Sequence, residues 1–263
     1  MTLFAYERMH QNMKNLKLET MEAIVDNFLE LAASENKSVV EILDHLMEEE
    51  YRSKNSSAIE TRLKISGLPV VKTLDEFDIS FQPSIDPAII NELRTLKFVH
   101  NAECLAILGP PGVGKTHLAI GLGVEAIRKG FSVFYTTASA LLDKLKKAEQ
   151  RGQLDKMLKT FAKYKLLIID EIGYLPMQKE GAHMFFQLVS KRYEKVATIF
   201  TSNKPYSEWG EIMGDSVIAA ATLDRILHHS TTVSIKGESY RLQARKRAGA
   251  CVPNTHETIG GIS

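Results

Sequence analysis

Apolar residues recur at helical spacing near the start of the chain and in strand-length runs further on. Met21, Ile24, Val25, Phe28, Leu31 and Ala32 share one helical face. Val39, Ile42, Leu43, Leu46 and Met47 share another, behind a capping Ser38. The opposite faces carry Glu and Lys, so each helix needs a partner surface. Residues 1–67 therefore predict a small all-helical N-terminal domain, with Glu48, Glu49 and Glu50 on a solvated face. Residues 68–101 read as linker and lead-in, where Pro69, Pro83 and Pro87 punctuate short extended pieces and one helix from about Pro87 to Val99. Beyond Glu103, strands at Cys104–Leu108, Ser132–Thr136, Leu166–Asp170, Thr198–Thr201 and Thr232–Ile235 alternate with helical runs. The expected fold class is α/β, with a parallel five-stranded sheet flanked by helices over residues 102–248. Residues 249–263 are expected to form a disordered tail.

Composition narrows this little. The 263 residues suffice for one large domain and a small one. A formal net charge of +1 points to neither nucleic acid nor membrane, so only local patches can argue for either. The two cysteines, Cys104 and Cys251, make no disulfide framework or zinc knuckle, which favours a reducing compartment. The opening MTLFAYERMHQ has no long apolar core, and no run approaches the roughly 20 apolar residues of a membrane span. A cytoplasmic protein without a membrane partner is expected.

The candidate chemistry lies after the first predicted strand. Gly109, Pro110, Pro111, Gly112, Val113, Gly114, Lys115 and Thr116 fit the spacing G-x-x-x-x-G-K-[ST]. A polyphosphate must be wrapped by several backbone N–H groups, and glycine lets the main chain approach closely. The helix that follows aims its positive end at the anion. Lys115 can reach the β- and γ-phosphates of ATP, and the Thr116 hydroxyl can ligate Mg²⁺. A second apolar strand ends in Asp170 and Glu171. There Asp170 can hold the Mg²⁺ shell and Glu171 can orient and deprotonate an attacking water. A third strand ends in Thr201, Ser202 and Asn203, and Asn203 can orient the same water; Asn-Lys-Pro is also turn chemistry.

These elements, in this order, resemble the AAA+ ATPases, in which Asn203 takes the sensor-1 position. The segments GPPGVGKTHLAIGLG, which includes His117, LLIIDEIGYLP, TSNKPYSEWGEI, LDRILHHS and GESYRL together resemble the IstB-like insertion-sequence ATP-binding proteins. Those transposition helpers are relatives of the DnaC-like helicase loaders, and the resemblance covers about residues 1–248. It implies that Arg225 reaches into a neighbouring subunit's ATP as a finger, where the residues alone also admit a surface salt bridge. It offers Arg241 as a sensor-2-like contact on a minimal lid, or as a contact to DNA phosphates. Lys144, Lys146, Lys147, Arg151, Lys156 and Lys159 fall where the loader relatives line a nucleic-acid channel, although a solvated helix face accounts for them equally.

The resemblance thus implies an ATPase that forms a homo-oligomer with ATP between subunits, assembles on double-stranded DNA and recruits and activates a cognate transposase. A helicase loader shares every motif and differs in its partner. A P-loop kinase would need an acceptor pocket and a basic lid, and a pure nucleotide switch has little use for Glu171. His228 and His229, adjacent on a predicted helix, are expected to face apart and to make no metal site. Cys251 and His256, in the tail, make a poor one. The cluster Arg245, Lys246 and Arg247 can support DNA binding, and Trp209, the single tryptophan, is expected in the core.

Overall fold

The computed structural model describes residues 3–240. Arg241, the basic cluster Arg245–Arg247, Cys251, His256 and the expected tail lie outside the described residues. The described residues divide after Arg62 into two compact units.

The first unit is helical, built from α1 (Leu3–Asn15), α2 (Glu19–Ser34) and α3 (Val39–Ile65), whose last turn runs past the division. Its small core joins Met13, Met21, Val25 and Leu46, with Ile24, Phe28 and Ile42 against them. Ser38 and Glu41 cap α3 reciprocally: the Ser38 N–H donates to the Glu41 carboxylate at 2.8 Å, and the Glu41 N–H donates to Ser38 Oγ at 3.3 Å. Two expectations change here. Val39, Leu43 and Met47 stay exposed, because the core takes only the Ile42 and Leu46 side of α3. Glu50 is not on a solvated face. It is 6% exposed and accepts the Met21 N–H at 2.8 Å, which serves a free donor in the first turn of α2. Leu18, the N-cap of α2, makes no side-chain bond there. Glu48 and Glu49 do face solvent, and both pair with Arg52.

The second unit opens with the lead-in. It forms no strand; a 3₁₀ turn at Ile79–Phe81, capped by Asp78, stands in place of the extended pieces. The single helix expected at 87–99 is two, α4 (Pro87–Arg94) and α5 (Lys97–His100). Leu96 between them adopts φ +61°, a left-handed conformation that ends a helix, and its side chain is fully buried.

The rest is the expected α/β domain. Its elements are β1 (Cys104–Leu108), α6 (Lys115–Arg128), β2 (Val133–Thr137), α7 (Ala138–Gln150), α8 (Leu154–Lys163), β3 (Leu166–Ile172), α9 (Lys179–Arg192), β4 (Ala197–Ser202), α10 (Trp209–Met213), α11 (Ser216–His228) and β5 (Ser230–Ser234). The five strands pair in parallel, in the order β2-β3-β4-β1-β5. Strand bounds move by a residue or two from expectation; most tellingly, β3 continues through both acids to Ile172. β4 is buried along its whole length, as a central parallel strand covered on both faces must be. Trp209, fully buried, packs in the core beside Phe185 and Phe200, as expected. Thr137 ends β2 and caps α7, and Asp215 caps α11 by accepting from the Val217 and Ile218 N–H groups at 3.0 Å.

Candidate nucleotide site

The loop between β1 and α6 leaves the carboxyl edge of the sheet, where open parallel sheets bind ligands. Gly114 opens α6 at φ +100°, and Gly112 sits at φ +82°. A side chain at either position would be both strained and blocked. A Cβ on Gly112 would lie 2.2 Å from Ser239 Oγ, and one on Gly114 would lie 2.8 Å from the Phe77 ring. The loop is therefore held between the lead-in and the segment after β5, whose Tyr240 N–H donates to the Gly112 carbonyl at 3.0 Å. Pro110 and Pro111 are exposed on the loop, while Val113 is buried beneath it. Lys115 Nζ donates to the Gly109 and Pro110 carbonyls at 2.7 and 2.8 Å, which keeps the ammonium on the loop itself.

A cavity of about 470 Å³ opens beside Gly112–His117 and is walled by Phe77, Phe81, Gln82 and Tyr240. Its size and mixed aromatic and polar lining suit a nucleotide-sized ligand. His117 turns toward the lead-in, where its Nε2 meets the Thr73 carbonyl at 3.1 Å and its ring packs edge-on to Phe77. Burial holds this imidazole below its ordinary value, against the pull of the Thr73 carbonyl. Gln82 is 2% exposed, and neither polar atom of its amide has a partner among the described residues.

The acids of β3 stand beside the loop. Asp170 is buried, and three hydroxyls converge on its carboxylate. Thr116 Oγ1 donates to Oδ1 at 3.1 Å, Tyr135 OH donates to Oδ2 at 2.6 Å, and Thr201 Oγ1 donates to Oδ1. Burial, with the Asp170 carboxylate next to it, drives the Tyr135 phenol far above its usual range, so this hydroxyl stays protonated and donating. The Thr116 hydroxyl and the Asp170 carboxylate are hard oxygen donors, the set a small divalent cation takes. Glu171 is exposed at φ +62°, an uncommon conformation for a residue with a side chain that costs about 1–2 kcal/mol. Asn203 lies just past β4, and its Oδ1 is buried without a partner among the described residues.

Arg225 does not join this group. It lies on α11, lines a small cleft with Ala102, Cys104 and Thr198 at the amino ends of β1 and β4, stacks over Phe186 at 4.5 Å and donates to the Ala221 carbonyl at 3.0 Å. The phosphate loop is at the other ends of those strands. The six basic residues of α7, α8 and their connection are all exposed. Lys159 pairs with Asp155 at 2.6 Å, Lys146 reaches Gln178 at 3.4 Å and Lys144 lies over the Phe134 ring.

His228 and His229 correct the expectation that adjacent histidines face apart. α11 ends at His228 and His229 leaves helical geometry, so the rings come within 4.1 Å and both meet Glu194. Sequence reasoning also missed Tyr135, Thr201, Phe77 and Gln82. A polar residue inside an apolar strand was the available signal for Tyr135 and Thr201; nothing marked Phe77 or Gln82.

Comparison with known proteins agrees with this geometry. The family described as IstB-like ATP binding protein matches residues 11–248. The chain is 46% identical over 243 residues to a protein of Pseudomonas aeruginosa named as an ATP-binding protein of insertion sequence IS21, covering 92% of each chain. It is 47% identical over 240 residues to the corresponding protein of IS5376 from Geobacillus stearothermophilus, covering 91% of this chain and 96% of that one. Among solved structures, the DnaC helicase loader superposes with a TM-score of 0.50 at 22% identity, over 65% of this chain and 97% of the loader. The replication initiator DnaA bound to AMPPCP and single-stranded DNA superposes with a TM-score of 0.53 at 18% identity, over 71% of this chain and 58% of that one. The chain belongs to the IstB-like ATP-binding proteins, ATPases built on the AAA+ P-loop fold.

Proposed function

We propose that this ATPase binds ATP and Mg²⁺ between neighbouring copies, assembles on double-stranded DNA in the cytoplasm, and there recruits and activates a cognate transposase. The carrying observation is kinship with insertion-sequence proteins at 46–47% identity over more than nine-tenths of each chain. The likeness to the helicase loader, at 22%, is one of fold.

The site supports hydrolysis by a positioned water. The backbone N–H groups of Gly112–Thr116 and the Lys115 ammonium bind the phosphates. Thr116 and Asp170 hold Mg²⁺, which offsets phosphate charge as the bond to the leaving ADP breaks. Glu171 takes the proton of the attacking water, and Asn203 orients that water. The placement of Arg225 supports action in trans: it lies at the edge of the sheet opposite its own phosphate loop, so an ATP it stabilises belongs to another copy. Hydrolysis to ADP and phosphate then dismantles or resets the assembly. The exposed basic face of α7 and α8 supplies phosphate contacts without reading sequence. The helical first unit serves as a DNA- or partner-binding domain.

Sedimentation of the purified chain with ATP, on double- and single-stranded DNA, tests the proposal. Large ATP-dependent complexes on duplex DNA, lost in Lys115→Ala, are expected. Preference for single strands, or no assembly on DNA without a helicase, refutes it in favour of the loader activity.

A further inference from the structure

The two acids that define the site are not held by the strand ladder alone. β3 and β4 pair regularly up to Ile169 opposite Phe200, and again at Ile172 opposite Ser202. Between these points β3 supplies two residues, Asp170 and Glu171, while β4 supplies one, Thr201. This is a β-bulge, a device that re-aims side chains next to active sites. Thr201, 1% exposed, faces both acids. Its hydroxyl accepts the Glu171 N–H at 3.0 Å and donates to Asp170 Oδ1.

We propose that Thr201 is the positioning residue of this ATPase, a single hydroxyl that fixes the Asp170 carboxylate for the cation and the left-handed Glu171 backbone for the water. The inference rests on the roles given above to Asp170 and Glu171. One hydroxyl has one hydrogen to give and lone pairs to receive, so both bonds form at once only around an alcohol. Valine matches threonine in shape and can make neither bond. Serine can make both. Loss of the hydroxyl frees Asp170 Oδ1 from one of its two donors and leaves the Glu171 N–H without its acceptor. Mg²⁺ affinity and the placing of the attacking water then fall together, while the phosphate loop, built from other residues, keeps its grip on nucleotide.

The test compares Thr201→Val and Thr201→Ser with the parent chain. A fluorescent ATP analogue is titrated with and without Mg²⁺, alongside steady-state hydrolysis. Thr201→Val is expected to bind the Mg²⁺-free nucleotide within about twofold of the parent. The Mg²⁺ concentration at half-effect should rise and kcat should fall, each by roughly 10- to 100-fold, the worth of a hydrogen bond to a charged group. KM should change little, and Thr201→Ser should recover most of both losses. A general packing role would instead weaken Mg²⁺-free binding as well, and serine would not rescue it; that result overturns the inference. So does a Thr201→Val chain with parental Mg²⁺ response and kcat. If Thr201→Val fails to fold, Thr201→Ala is read by the same criteria. Glu171→Gln, measured alongside, separates the failures. If it hydrolyses ATP at the parental rate, the reading of the acids falls and the inference with it. If it is inactive while Thr201→Val is parental, only the role of Thr201 falls.

Discussion

Replacing Gly112 by alanine probes how tightly the phosphate loop is clamped by the segment after β5. Gly112 adopts φ +82°, which costs a residue with a side chain about 1–2 kcal/mol. The new methyl would also stand 2.2 Å from Ser239 Oγ, 2.8 Å from its Cβ and 3.3 Å from its Cα. The backbone Cα cannot rotate away, so Ser239 must move, and overpacking of this kind costs about 1–3 kcal/mol. The displacement strains the bond from the Tyr240 N–H to the Gly112 carbonyl. A total of about 2–4 kcal/mol should lower the melting temperature of the second unit by roughly 5–15 °C. Because the altered atoms belong to the cradle, ATP should also raise that temperature less than it does in the parent. A double-mutant cycle with Ser239→Gly separates the two costs: the second change removes Oγ and Cβ and should recover the steric share, leaving the backbone share. Melting curves with and without ATP on all four chains make the measurement. If Gly112→Ala melts and responds to ATP as the parent does, or if Ser239→Gly shows no coupling to it, the clamp described here is wrong.

Two further outcomes follow from the acids, the finger and the helical unit. Glu171→Gln should bind ATP and stall in the assembled state, whereas Arg225→Ala should bind ATP and lose hydrolysis stimulated by assembly. Mixing the two variants should restore part of that hydrolysis if the arginine acts on a neighbour's nucleotide, and turnover in the mixture no higher than the sum of the separate chains would refute the finger. In the first unit, Glu50→Ala leaves the Met21 N–H buried without its acceptor and should destabilise that unit by about 1.5–3 kcal/mol, since a hydrogen bond to a charged group is lost. Glu50→Gln, which keeps an acceptor, should cost less; thermal melts in which alanine matches the parent would return Glu50 to the surface.

The sequence by itself carried the phosphate loop, the strand ending in Asp170 and Glu171, and the α/β alternation that makes a parallel sheet. Each is local: a spacing of glycines, a strand-length apolar run or a helical period is set by neighbours along the chain. The core position of Trp209 was legible for the same reason. Tertiary structure alone decided what depends on residues far apart in sequence. Thr116, Tyr135 and Thr201 come from three different elements and meet only because α6, β2 and β4 surround β3. Glu50 looked solvated within an acidic run, yet α3 carries it to the open first turn of α2. His228 and His229 looked divergent on a helix, yet the helix stops between them. The break at Leu96 and the bulge at Glu171 are further cases, for in both a non-glycine backbone takes up positive φ that no residue preference announces. Periodicity reports which face of an element is apolar, but what each polar side chain meets is fixed by packing, which brings donors and acceptors together across the sheet and pairs them because burial makes an unpaired one costly.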